Sequence, residues 1–288
     1  MKRPSAATRK LDNARRGRLA GSMSSLALFV LGSAAGAGAG LLAGLIGIGG
    51  GIVVVPVVYY GLTVSGVSTD AAAHIAVGTS LAAILPASIV SFLGHWRSGN
   101  TDLGFLVAWG PGIAAGVVAA QTAAPHVRGV VLSAVFGLLC LLFAIRFAFP
   151  ERFRPVLQQP PDGAFRQVAG VFVGACSGFA GIGGGILTNI VMTLSGLPMH
   201  KSIGRAAAVG IVVSVPATLT AAFASHAAQP LEIGAIDLPM WAAIAPAQAL
   251  AAWFGARLAP HLSAANLSRI FAGALAVTGA AMLQSSMR

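Results

Sequence analysis

Apolar residues in this chain come in long, nearly unbroken runs, not in the alternating or one-sided patterns of elements that face water. In the first half the runs cover about 24–46, 51–62, 72–94, 103–123 and 130–149. In the second half they cover about 166–181, 185–197, 204–226, 238–257 and 266–284. Most have the roughly 20 residues that a helix needs to cross a hydrocarbon core about 30 Å thick. The runs at 51–62 and 185–197 are too short for that. Each directly follows a Gly-Ile-Gly-Gly-Gly sequence, so each is expected to be a half-helix behind a glycine break, in the manner of a re-entrant hairpin. Broken backbone cannot face lipid, because its N–H and C=O groups would go unsatisfied. The glycine breaks are therefore expected inside the protein.

The two glycine sequences belong to a longer internal match. Gly40, Gly44, Gly47, Gly49, Gly50 and Gly51 recur as Gly174, Gly178, Gly181, Gly183, Gly184 and Gly185, always 134 residues on. Ala76-Val77-Gly78 recurs as Ala208-Val209-Gly210 at an offset of 132, and Ala124-Pro125-His126 as Ala259-Pro260-His261 at 135. Small loop insertions account for the drift. The fold expected is all-α and polytopic: two homologous repeats, each with about four spanning helices and one short glycine-broken half-helix. The boundaries expected are a basic cytoplasmic tail at 1–22, a membrane repeat at 23–149, a linker at 150–165 and a second membrane repeat at 166–288.

Composition supports lipid as the solvent. Hydrophobic residues make up 56% of the chain, charged residues 9%, and the mean hydropathy is +0.84. Soluble domains carry about 25% charged residues, so too little charge is present to build a water-facing surface. The net charge of +11 is concentrated in the tail, where Lys2, Arg3, Arg9, Lys10, Arg15, Arg16 and Arg18 face only Asp12. Next to a membrane span, such a run holds the N-terminus in the cytoplasm and does not mark a nucleic-acid partner. A signal-peptide or twin-arginine reading fails, because cleavage would remove the start of the duplicated unit. Arg146, Arg152, Arg154 and Arg166 put the linker inside as well, which implies an even number of crossings in the first half. Whether the repeats are parallel or inverted stays open.

The glycine breaks are the strongest chemical candidates. A helix that starts in the membrane interior presents unpaired N–H groups and the positive end of its dipole. Glycine lets a ligand approach that backbone, and a small oxyanion suits it. The expected substrate site is Gly49, Gly50 and Gly51 with Gly183, Gly184 and Gly185, helped by Thr79, Ser80 and Asn189, with Arg205 attracting the anion. Asp102 and Asp237 occupy matching positions and read as helix N-caps. No carboxylate falls inside a long apolar run, which disfavours an acid relay and cation selectivity. The two cysteines, Cys140 and Cys176, lack metal or redox spacing, so no metal or cofactor is expected. No nucleophile motif supports an intramembrane enzyme, and the chain is not expected to be one.

The glycine pattern at 40–56, which ends in GIGGGIVVVP, resembles that of the TauE/SafE family of sulfite exporter-like permeases. So do its second copy at 174–189 and the Ala-Val-Gly-Thr-Ser run at 76–80. The second copy departs at Ile190, where Pro56 would align, and at Ile211-Val212, which replace Thr79-Ser80. The resemblance implies a multi-pass bacterial inner-membrane transporter that exports sulfur-containing anions such as sulfite or organosulfonates. A carboxylate carrier, an importer and a membrane protein without cargo are the alternatives. The reading allows a homo-oligomer.

Overall fold

The computed structural model describes residues 6–47, 49–101, 103–149, 157, 159–224, 231–261 and 264–287. Among them are ten α-helices: α1 (Ala6–Ile46), α2 (Gly51–Val64), α3 (Thr69–Arg97), α4 (Leu103–Ala123), α5 (Gly129–Ala148), α6 (Gly163–Ala180), α7 (Gly185–Leu194), α8 (Met199–Ala222), α9 (Leu238–Leu258) and α10 (Ala264–Ser286). A 3₁₀ turn of sequence Ala-Pro-His follows both α4 and α9. A minimal hairpin, Glu232–Ile233 paired with Ile236–Asp237, leads into α9. Asp102 and residues 150–156 and 158 of the expected linker lie outside the described residues, as do the side chains of the basic tail.

Each expected apolar run is a helix. Five of the helices are long and apolar enough to cross a membrane: Leu26–Ile46 within α1, α3, the stretch Leu103–His126 that contains α4, α5, and most of α8. The protein is a multi-pass membrane protein. α2 has 14 residues and α7 has 10, so at 1.5 Å per residue they reach only about 21 and 15 Å. Asp237 caps α9 as expected, its Oδ1 accepting from Met240 N at 2.8 Å. Ser68 caps α3, its Oγ accepting from Ala71 N.

Helix pairing sets the architecture. α1 packs on α9, α4 on α6, α5 on α10 and α3 on α8. The first two contacts run parallel and are lined by glycine. A methyl group at Gly40 or Gly44 would overlap the carbonyl oxygen of Gln248 or Ala252 on α9. One at Gly174 would overlap that of Ile113 on α4. Small residues here let the backbones touch, which is how membrane helices gain packing contact where lipid removes the hydrophobic drive.

These contacts also fix the helix directions. At one end of the bundle, end A, the start of α3 meets the start of α5, where Asp70 Oδ1 accepts from Gly129 N. At the opposite end, end B, Arg146 near the end of α5 donates to Thr193 of α7 at 3.3 Å. α2 runs back along α1, with Gly50 against Ala39 and Gly61 against Leu28. The apolar part of α1 therefore begins at end A. α1 to α5 carry the chain from A to B, and α6 to α10 carry it from B back to A. This corrects the expectation that the N-terminal tail and the linker share a side. Placing both by their basic residues had implied an even number of passes, with α2 as a piece that does not cross. In the structure α2, although short, returns the chain to the end where α1 began.

Candidate functional site

The glycines that end α1 and α6 take up a backbone conformation that side chains resist. Gly47, Gly49 and Gly50 have φ of 71°, 82° and 73°. Gly181, Gly183 and Gly184 have 69°, 77° and 75°. An L-residue in this region costs about 1–2 kcal/mol. Gly50 and Gly184 each stand just before the first residue of a short helix, and neither helix start carries a side-chain cap.

The two breaks meet in the protein interior. A methyl group on Gly49 would lie 3.7 Å from the Cα of Gly183, and one on Gly183 equally far from the Cα of Gly49. Gly51 packs directly on the carbonyl of Gly181. Ile84, midway along α3 and fully buried, lies against both loops, 3.2 Å from a methyl at Gly49 and 3.1 Å from one at Gly183. From this junction α2 leaves toward end A and α7 toward end B. The positive ends of two helix dipoles therefore converge on one buried place. Gly185, the first residue of α7, is buried there too.

The expected polar helpers divide into three kinds. Thr79 and Ser80 are fully buried and engaged in the fold: Thr79 Oγ1 accepts from Asp237 N at 2.9 Å, and Ser80 Oγ donates to Gly181 O at 2.9 Å. Their hydroxyls hold the hairpin and the second glycine loop in place. Asn189 differs. It is 2% exposed, and its Nδ2 is buried with no hydrogen-bond partner. Such a donor is costly to leave unmade in a native interior. Arg205 is away from the breaks, its guanidinium 4.9 Å above the Phe105 ring. It sits one helical turn before Val209, which packs on Gly184, and so on the end-B approach to the junction.

Sequence reasoning missed Gln248. This fully buried side chain on α9 donates from Nε2 to Gly49 O at 2.8 Å, while its Oε1 is buried without a partner. The available signal was an amide in the middle of an otherwise apolar run. Ser88, on the α3 face that continues from Ile84, was also missed. It lies against Gly210 of α8.

Comparison with known proteins gives a consistent picture. A probable membrane transporter protein of Haemophilus influenzae is 26% identical over 240 residues, covering 82% of this chain and 91% of the relative. One of Methanocaldococcus jannaschii is 23% identical over 251 residues, covering 85% and 91%. The probable membrane transporter protein YunE of Bacillus subtilis is 28% identical over 194 residues, covering 60% and 68%. No solved structure matches the chain. Residues 32–282, which contain both glycine breaks and every helix that packs around them, match the family model described as sulfite exporter TauE/SafE. The chain belongs to the TauE/SafE family, a family of membrane transporters and not of enzymes.

Proposed function

We propose that this protein exports a small sulfur-containing anion, such as sulfite or an organosulfonate, and holds it where the starts of α2 and α7 converge. The observation that carries the reading is the meeting of two uncapped helix N-termini around Gly49 and Gly183. Helix N-termini bind oxyanions through free N–H groups and a favourable dipole. The unpartnered Nδ2 of Asn189 adds a donor on α7. The sulfur assignment rests on the family description.

The directions of the two halves support alternating access. Two repeats of opposite orientation, meeting at broken helices near the membrane midplane, are the arrangement of many secondary carriers. The matched glycine offsets, the repeated φ pattern and the reciprocal pairing of α1 with α9 and α6 with α4 favour two such repeats. Rocking of one half on the other about the glycine junction would then expose the anion to each side in turn. End B carries Arg97, Arg166, Lys201, Arg205, Arg257 and Arg269 beside its helix ends and receives the linker, against Arg128 and the basic tail at end A, and we assign end B to the cytoplasm of the inner membrane. That assignment puts the start of the apolar part of α1 at the outer face.

The test is flux of labelled sulfite in proteoliposomes, with a sulfonate and a carboxylate as unlabelled competitors. Saturable flux blocked by the sulfonate and not by the carboxylate is expected. Block by the carboxylate alone would keep the carrier and discard the sulfur anion.

A further inference from the structure

On the lipid-facing side of the bundle, α5 and α10 enclose a trough of about 530 Å³ that the transport reading does not use. Ligand clefts commonly span about 300–1,000 Å³. Small residues line the trough, Ala144 on α5 with Gly273 and Ala276 on α10, together with Leu141 and Ile145. A methyl group at Gly273 would meet nothing within 4 Å, so the space above this glycine is open. The trough is almost wholly apolar along its length and ends at one charged group, the exposed guanidinium-bearing Arg269. The neighbouring Ser268 pins this end of α10 to α5, its Oγ donating to Phe147 O at 2.7 Å. Phe147 and Phe271 pack edge to face just beneath, at 4.9 Å.

We propose that this trough is a binding site for an anionic phospholipid, with an acyl chain lying over Gly273 and the phosphate on Arg269. Three features agree on that occupant. The trough opens toward lipid, not water, as the exposed neighbours Leu138, Leu142 and Ile145 require. Its single charge is positive and lies at end B, the side that the proposed function assigns to the cytoplasm, where a basic side chain meets an anionic leaflet. Its polarity matches that of a lipid, apolar over most of its length with one cationic terminus. Filled in this way, the α5–α10 pair would have a lipid wedged along its outer face.

The test is native mass spectrometry of the detergent-purified full chain, titrated with phosphatidylglycerol and, separately, with phosphatidylcholine. Wild type is expected to retain phosphatidylglycerol preferentially. Arg269→Gln should reduce that retention by about fivefold, the size expected for one basic side chain at an anionic surface. Gly273→Phe should fill the trough and reduce retention of both lipids, with helix content by circular dichroism unchanged. Arg97→Gln, at the same end but away from the trough, should change nothing. Equal retention by wild type and Arg269→Gln, or an equal loss in Arg97→Gln, would overturn the proposal. So would a dimer mass that carries no lipid and is abolished by Gly273→Phe, because the trough would then be an interface between two copies.

Discussion

Gln248 of α9 donates its Nε2–H to the carbonyl oxygen of Gly49 at 2.8 Å, across 199 residues of chain. The bond ties the α1–α9 pair to the first glycine break, and it explains how a loop of positive-φ glycines keeps one conformation inside a membrane protein. A methyl group at Gly50 would lie 2.8 Å from the same Nε2 and 2.7 Å from Ala39 O. The break is therefore held between α1 and α9 and has no room for a side chain. At Gly50, replacement by leucine would test folding as much as transport, so the informative changes lie in the groups around the glycines.

Gln248→Leu should leave Gly49 O buried without its donor, which costs about 1–3 kcal/mol. Thermal unfolding in detergent should show the loss. Sulfite flux should fall further than stability does, because the loop it releases is the proposed anion site. Gln248→Glu should keep the size of the side chain and oppose an anion, so its flux should be lower still. Flux at the wild-type level in both variants would remove the first glycine break from the transport site.

Asn189→Leu separates function from stability. Its Nδ2 makes no hydrogen bond in this structure, so replacing it with a side chain of similar size and no polar atom should leave the fold at least as stable as wild type. If the amide donates to the anion, a charge-assisted hydrogen bond is lost and KM for sulfite should rise about tenfold or more. An unaltered KM with unaltered stability would show that Asn189 does not touch the substrate.

Much of this molecule was legible in its sequence. Every long apolar run became a helix because hydrophobicity at that length admits few other structures in lipid. The two breaks were legible because three glycines in each loop need positive φ, a demand that leaves a mark in the residues themselves. That the two breaks belong to one site was expected from their duplication, but the packing that joins them was not legible. It depends on Ile84 reaching both loops, and Ile84 reads as any other core isoleucine. Nor was the commitment of Thr79 and Ser80 to Asp237 and Gly181, because their partners are backbone groups 158 and 101 residues away. The direction of the halves was left open, and the shared side of the tail and the linker was misread, because charge near the termini reports which side a loop prefers, not how many times a short helix turns the chain.

Asp237 gives a pH prediction. Burial pushes its carboxyl up from the ordinary value, and the hydrogen bond from Met240 N pulls it part of the way down. A carboxyl with a raised pKa in the folded state binds its proton more tightly there than when unfolded. Its contribution therefore favours the fold at low pH and is lost as pH rises through the ordinary carboxylate range toward the raised value. Asp237→Asn keeps the cap and removes the titration, so its melting temperature should depend less on pH across that window. Asp237→Ala should lose the cap as well, at about 1 kcal/mol. Parallel melting curves against pH for wild type and Asp237→Asn would assign the dependence to another group.

The opposed directions of the two halves predict a pattern of chemical access that parallel halves cannot give. Thr69 and Lys201 lie at matching places, the starts of α3 and α8, separated by the same 132 residues as Ala76 and Ala208. Both are exposed. With Cys140 and Cys176 replaced by alanine, Thr69→Cys and Lys201→Cys each place one thiol at the start of a long helix. Thr69 is at end A and Lys201 at end B, so a membrane-impermeant maleimide should label one from outside intact cells and the other only after permeabilisation. With end B in the cytoplasm, Thr69→Cys is the one labelled from outside. Labelling of both from the same side would mean parallel halves, and rocking of inverted repeats would then no longer describe how the site opens. Opposite labelling with Lys201→Cys reached from outside would keep the inverted halves and reverse the assignment of the cytoplasmic face.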